Sequence, residues 1–137
     1  MKKAKPTPAT KLTLESCRKA GWLVQVVEHW VPNRIGRGGI RRDLWGFVDV
    51  LAVQQGQAGV LGIQATSWSN RLARVRKIMV ECEYQCSVML SAGNRVEVWS
   101  WRKRPVGNRS LWRKTITQIR ISEGNLEFHD DQKDIPP

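Results

Sequence analysis

Acidic residues are scarce in this chain, with 12 Asp and Glu against 23 Lys and Arg, a formal net charge of +11. Such a balance disfavours basic partners and fits a polyanion such as nucleic acid. Cysteine is scarcer still: Cys17, Cys82 and Cys86 are odd in number and only the last two are close. That argues against a disulfide framework, and zinc would need His29 or His129 without any paired-cysteine motif. Buried reduced thiols are the expected state. No apolar run approaches the roughly 20 residues of a membrane-spanning helix, and residues 1–11 lack the apolar segment of a secretory signal. The expectation is a soluble protein inside the cell, in the cytoplasm or at the nucleoid. Internal repeats and long low-complexity segments are also missing.

What is there suffices for one domain of 137 residues, 41% of them hydrophobic. Residues 1–10, with Lys2, Lys3, Lys5, Pro6 and Pro8, read as a flexible basic arm. Residues 11–122 form the domain, and residues 123–137, acidic and ending in Pro136 and Pro137, read as a tail that need not fold. Of the 23 Lys and Arg, only Lys133 falls in that tail, so the body is more basic than the whole.

Periodicity predicts a helix over 11–20, carried by Leu12, Leu14 and Cys17 and stopped by Gly21. A first strand follows over 22–31, ending at Pro32. Residues 33–43 place Arg34, Arg37, Arg41 and Arg42 among Gly36, Gly38 and Gly39, a mobile loop suited to phosphate contact. Two apolar runs, 44–53 and 59–65, read as buried strands around the polar turn 54–58. From 69 to 92, Leu72, Val75, Ile78, Met79, Cys82, Cys86, Met89 and Leu90 recur at helical spacing, the stripe of one long helix. Ser67 and Ser69 stand at its start with Arg71, Arg74 and Lys77, a place for an anion. Strands over 95–103 and 111–122 complete the order, with a turn over 106–110. Trp45, Trp68, Trp99, Trp101 and Trp112 offer either packing or stacking surfaces for unpaired bases.

One residue in the apolar run 44–53 is out of place. Asp49 lies among Phe47, Val48, Val50 and Leu51, where an isolated charge is costly to bury. A metal ion, a polar cleft or hydrogen bonds to a turn would each compensate it. In the next strand Gln64 and Thr66 share one face, so two neighbouring strands project polar groups together. Glu28 and His29 are adjacent in the first strand and so point oppositely; both are left outside the site.

With these residues in place, the chain resembles the PD-(D/E)xK nuclease superfamily, in particular its archaeal-type Holliday junction resolvase branch. There a first helix carries a Glu, one strand ends near an Asp, and the next carries Glu, any residue, Lys before a helix. Glu15, Asp49 and Gln64-Ala65-Thr66 occupy those places, and the resemblance covers roughly residues 10–90. Gln64 stands where the family has an acid and Thr66 where it has lysine. The resemblance implies an α/β fold, a restriction-endonuclease-like αβββαβ core with a mixed central sheet flanked by helices.

It also implies Mg²⁺ or Mn²⁺ held by Glu15, Asp49, Gln64 and the Ala65 carbonyl, with Thr66 orienting the water that attacks phosphorus. Lys77, Arg71, Arg74 and the loop arginines are the candidates to replace the lysine. The expected activity is endonucleolytic cleavage of DNA, branched or recombining, in a layout that suits a phage or mobile element. Nucleic acid, DNA ahead of RNA, is the expected partner, with a second copy of the chain as a further one. The competing readings are a binding protein of the same fold that has lost catalysis and an unrelated RNA-binding module.

Overall fold

Thr7 opens the first helix by accepting the Thr10 backbone N–H on its hydroxyl at 3.2 Å, and Pro8 supplies the preset φ of a first helical residue. The resulting α1 spans Pro8–Lys19 and buries Thr10, Thr13, Leu14, Ser16 and Cys17. The computed structural model describes residues 7–137. Lys2, Lys3 and Lys5 of the expected basic arm lie outside the described residues, and its last part is already helix.

The expected first strand is two strands in two sheets. β1 (Leu23–Val26) joins the main sheet, and β2 (His29–Pro32) pairs instead with β3 (Gly39–Arg42). Arg41 and Arg42 of the arginine-rich segment therefore lie in a hairpin strand, with Arg34 and Arg37 in the loop at its tip, and the pair His29↔Arg42 closes its base. A side chain at Gly39 would put its Cβ 2.4 Å from the Val31 carbonyl oxygen and 2.8 Å from the Trp30 ring, so only glycine lets the two strands approach here. β4 (Val50–Val53) and β5 (Leu61–Ser67) follow, then a 3-10 turn (Trp68–Asn70).

The expected long helix is broken into α2 (Arg71–Val80) and α3 (Glu83–Ser91). At the break the Cys82 N–H reaches back to the Lys77 carbonyl at 3.0 Å, a wider turn than the α-helix makes. Val75, Ile78, Cys82, Cys86 and Met89 stay buried through it, so the apolar stripe continues where the helix does not.

Three long strands finish the chain: β6 (Arg95–Val106), β7 (Arg109–Ser122) and β8 (Asn125–Ile135). The main sheet runs β1-β4-β5-β6-β7-β8, with β5 and β6 parallel and every other pair antiparallel. The molecule is thus α/β with a mixed six-stranded sheet. One face carries α1 over Val50, Ala52, Leu61, Ile63, Trp99, Trp101 and Ile116. The other carries Phe47, Val48, Val96, Val98 and Ile119 against α2 and α3. Trp99 and Trp101 are fixed inside, their indole N–H groups bonded to Glu97 and Thr13 at 3.0 Å each, which rules them out as base-stacking surfaces. All three cysteines are buried and free, and burial pushes Cys17 and Cys86 up to about 12. No helix among the described residues is long and apolar enough to cross a membrane.

The tail expectation is corrected by β8. Its composition is acidic, but Leu126 and Ile135 pack on the core clusters of opposite faces, and Asp130 and Asp134 each meet an arginine of the body. A chain ended after Ser122 should lose about 2–4 kcal/mol, the scale of two aliphatic side chains and their pairing. Urea unfolding compared with the full chain checks this; an unstructured tail would leave the midpoint unchanged.

Candidate metal centre

The base of the β2–β3 hairpin positions two carboxylates. Glu28 precedes His29 and Asp43 follows Arg42, so the pair that closes the hairpin holds them at its foot. Asp43 is then turned back towards the sheet by a tight loop in which the Gly46 N–H bonds its carbonyl at 3.1 Å. Gly46 has φ +87°, a conformation that glycine adopts without steric cost.

Asp49 arrives between the strands. Its carbonyl accepts from Val27 N–H at 2.8 Å and its N–H donates to the Ile63 carbonyl at 2.9 Å, so its backbone is stitched to both neighbours just ahead of β4. The carboxylate, in a residue only 4% exposed, takes two hydrogen bonds on Oδ2: from the Gln64 side-chain amide at 2.6 Å and from the Ala65 backbone N–H at 2.9 Å.

Glu28, Asp43 and Asp49 thereby gather one carboxylate oxygen each within 4.8 Å of one another. They line a cleft of about 250 Å³ with Thr7, Thr10, Gln64 and Ala65, and Arg41, Arg74 and Lys77 supply positive charge at its walls. Burial, above all, and the hydrogen bond and negative charge of Asp43 push Asp49 up to about 9, against the lowering effect of the Ala65 N–H. Burial also raises Glu28, with Arg41 opposing and Asp43 adding to the rise. The Arg41 guanidinium is 3.6 Å from Glu28 Oε1, and the Lys77 ammonium 4.0 Å from Asp43.

Two buried oxygens point to a ligand. Gln64 Oε1 and Glu28 Oε1 have no hydrogen-bond partner among the described residues, although Gln64 is 3% exposed and the Glu28 side chain 6%. Left so, the Gln64 oxygen costs desolvation free energy that a cation would recover, while Glu28 Oε1 has the charge of Arg41 at 3.6 Å to offset part of that cost. Three carboxylates and an amide oxygen are hard donors, the chemistry of Mg²⁺ or Mn²⁺ rather than of a thiophilic metal. The residues present fit a divalent ion.

Of the residues expected from sequence, Asp49, Gln64, Ala65, Arg41, Arg74 and Lys77 line this cleft. Glu15 does not. It is exposed on α1, pointing away from the buried row Thr10, Thr13, Leu14 and Cys17, and Glu28 contributes the further acid in its stead. Thr66 is buried on the face of β5 that Gln64 occupies, one step beyond the cleft. Ser67 and Ser69 are exposed, their hydroxyls 3.1 Å apart. Arg71 turns instead to Asp130 at 2.5 Å and to Trp68. Arg34, Arg37 and Arg42 are exposed on the hairpin. Sequence reasoning missed Asp43 and the α1 start, Thr7 and Thr10, and set Glu28 aside. A strand break between Val26 and His29 was the missing signal.

No family model matches the chain, and neither a curated protein nor a solved structure is significantly similar to it.

A carboxyl group held above its ordinary value favours folding while protonated, a contribution complete below about pH 4 and lost as pH rises through about 9. The metal-free melting temperature should therefore fall across this range more steeply in the wild type than in Asp49→Asn. Added Mn²⁺ should raise it more at about pH 8 than at about pH 6, because binding must displace the proton. Thermal melts with EDTA or Mn²⁺ check both effects, and a wild-type curve parallel to that of Asp49→Asn would contradict the first.

Proposed function

We propose that this protein is a metal-dependent endonuclease acting on DNA, with a restriction-endonuclease-like αβββαβ core whose metal ligands are rearranged. The observation that carries the reading is the convergence of Glu28, Asp43 and Asp49 beside the unpartnered Gln64 carbonyl oxygen. The order of strands around Asp49 and Gln64-Ala65-Thr66 supports the same family, and Mg²⁺ or Mn²⁺ is the cofactor this donor set suits.

Asp49, Asp43 and Glu28 would hold the ion, with Gln64 Oε1 as a neutral donor. When bound, the ion supplies Lewis acidity towards a phosphate oxygen and lowers the pKa of the attacking water. The chain's own residues do the rest. Gln64 and the Ala65 N–H fix the Asp49 carboxylate in one orientation. Arg41 and Arg74 offer guanidinium groups to the phosphates on either side of the scissile bond. The lysine absent from position 66 has a substitute in Lys77, whose ammonium comes from α2 into the same cleft and can stabilise charge developing on phosphorus oxygens.

Cleavage of supercoiled plasmid and of a four-way junction in Mn²⁺ tests the scheme. Asp49→Asn and Glu28→Gln should each lose more than about a hundredfold in rate, and Lys77→Met about tenfold or more. Glu15→Gln should cleave as the wild type does. A rate unchanged by Asp49→Asn would remove the site from the chemistry. A second reading, a nucleic-acid-binding protein without hydrolysis, is favoured by Thr66, whose buried hydroxyl cannot supply a lysine's charge. That reading requires DNA binding with no cleavage in either metal.

A further inference from the structure

β6 and β7 outrun the rest of the sheet. β5 accompanies β6 only as far as the pair Ser67↔Trp101, and β8 joins β7 only from Lys114 onward. Between these limits the strands pair with each other alone, from Arg102↔Arg113 to Val106↔Arg109. The result is a two-stranded antiparallel ribbon about 16 Å long at the usual rise per residue. Residues 103–110 are all exposed. Arg102, Lys103, Arg104, Arg109 and Arg113 lie in the ribbon, and no acid does.

The charges are sorted by face. Directly opposed residues share a face and positions alternate, so Arg102, Arg104 and Val106 lie with Arg113, Leu111 and Arg109. Four guanidinium groups therefore occupy one side. Lys103 and Trp112 take the other, the ammonium 5.3 Å from the ring centre. Like charges opposed across a ladder, as in Arg102↔Arg113, weaken it. Asp134 answers this in part, accepting two bonds of 2.8 Å from Arg102 and standing 3.6 Å from Arg104. One carboxylate among several guanidinium groups leaves the face strongly positive.

That face belongs to the side of the sheet that carries the metal centre. Gln64 and Thr66 lie beside Val98 and Ser100 of β6, and Arg102 is the next residue outward on the same side. Arg102 also lies 3.7 Å from the centre of the Trp68 ring, which Arg71 approaches at 4.5 Å. Trp68 follows directly after Thr66 and Ser67, so a cationic track joins the end of β5 to the ribbon.

We propose that the β6–β7 ribbon is a DNA-binding arm that enters the major groove of a duplex, its arginine face meeting phosphates and base edges. The proposal rests on the reading of the metal centre as one that acts on DNA. The major groove of B-form DNA, roughly 12 Å wide, admits a two-stranded ribbon, whereas the deep, narrow major groove of A-form RNA does not. Arginine suits both targets, as a bidentate donor to phosphate and to the N7 and O6 atoms of guanine.

The test is fluorescence anisotropy with the full chain in EDTA, on duplex DNA of about 20 bp and on duplex RNA of the same sequence. Arg104→Gln with Arg109→Gln changes two exposed arginines and leaves Arg102 with Asp134. DNA affinity at about 0.1 M salt should fall roughly tenfold or more, and the slope of log K against log salt should shrink by about 2. RNA binding should change far less. If the double variant melts early, Arg109→Gln alone, at the tip, should reduce the slope by about 1. Wild-type affinity and slope in these variants, or equal losses on DNA and RNA, overturn the proposal. Failure of the two readings is separable. Duplex affinity lost by the ribbon variants, in a protein that never cleaves, removes the nuclease and keeps the arm. Wild-type binding by ribbon variants of a protein that does cleave removes the arm alone.

Discussion

Asp49 has to keep its carboxylate where water scarcely reaches, with two other carboxylates beside it. Its backbone is committed on both sides, to Val27 and to Ile63, so the residue cannot withdraw without opening the ladders that join β4 to β1 and to β5. Among the described residues the Gln64 amide and the Ala65 N–H donate to its carboxylate, while burial and the neighbouring Asp43 push the group up to about 9. A proton relieves that cost, and so would a cation in the proposed site. The surrounding architecture follows from this: a hairpin whose base delivers Glu28 and Asp43, and basic side chains at the walls of the cleft.

How much of this was legible in sequence depended on whether the signal was local. Asp49 stood out because a single acid interrupted an apolar run, and Gln64 because strand alternation placed it with Thr66. The same alternation sets Glu28 aside, because it assumes one strand over 22–31, whereas β1 ends at Val26. Beyond it the chain turns a corner into another sheet, and at a corner period two no longer says where a side chain points. Asp43 depended on the pairing His29↔Arg42 across an arginine- and glycine-rich segment, a contact no local pattern encodes. Glu15 entered through the resemblance alone, and its place on α1 is solvent. The break at Cys82 escaped notice because the buried stripe survives it, and periodicity records burial rather than hydrogen bonding.

Charge misleads in β8 for a different reason. Composition alone suggests that a run with Glu127, Asp130, Asp131 and Asp134 repels itself and stays unfolded. In the sheet each of three aspartates finds an arginine: Asp130 with Arg71, Asp131 with Arg120, Asp134 with Arg102. The more exposed of these pairs contribute little singly. Together they let an acidic strand lie against a basic body, and its charges discourage another strand from adding to the sheet edge.

Gln64 is the residue in which fold and chemistry meet most closely. A glutamate there would add a fourth carboxylate to a cluster in which Asp49 and Glu28 are already held above their ordinary values. It would also lose the 2.6 Å bond to Asp49, since an ionised carboxylate has no hydrogen to donate. The amide does both jobs with one group: its nitrogen steadies Asp49, and its oxygen, buried and unpartnered, remains available as a neutral donor. With three acids supplied by Glu28, Asp43 and Asp49, a divalent cation in the proposed site would already have enough negative charge around it. A further acid at position 64 would raise the cost of the empty site without being needed to fill it. On the proposed reading, the hairpin compensates for the departure from the acid that the resemblance implies there, since it brings to the cleft the two carboxylates that β5 does not.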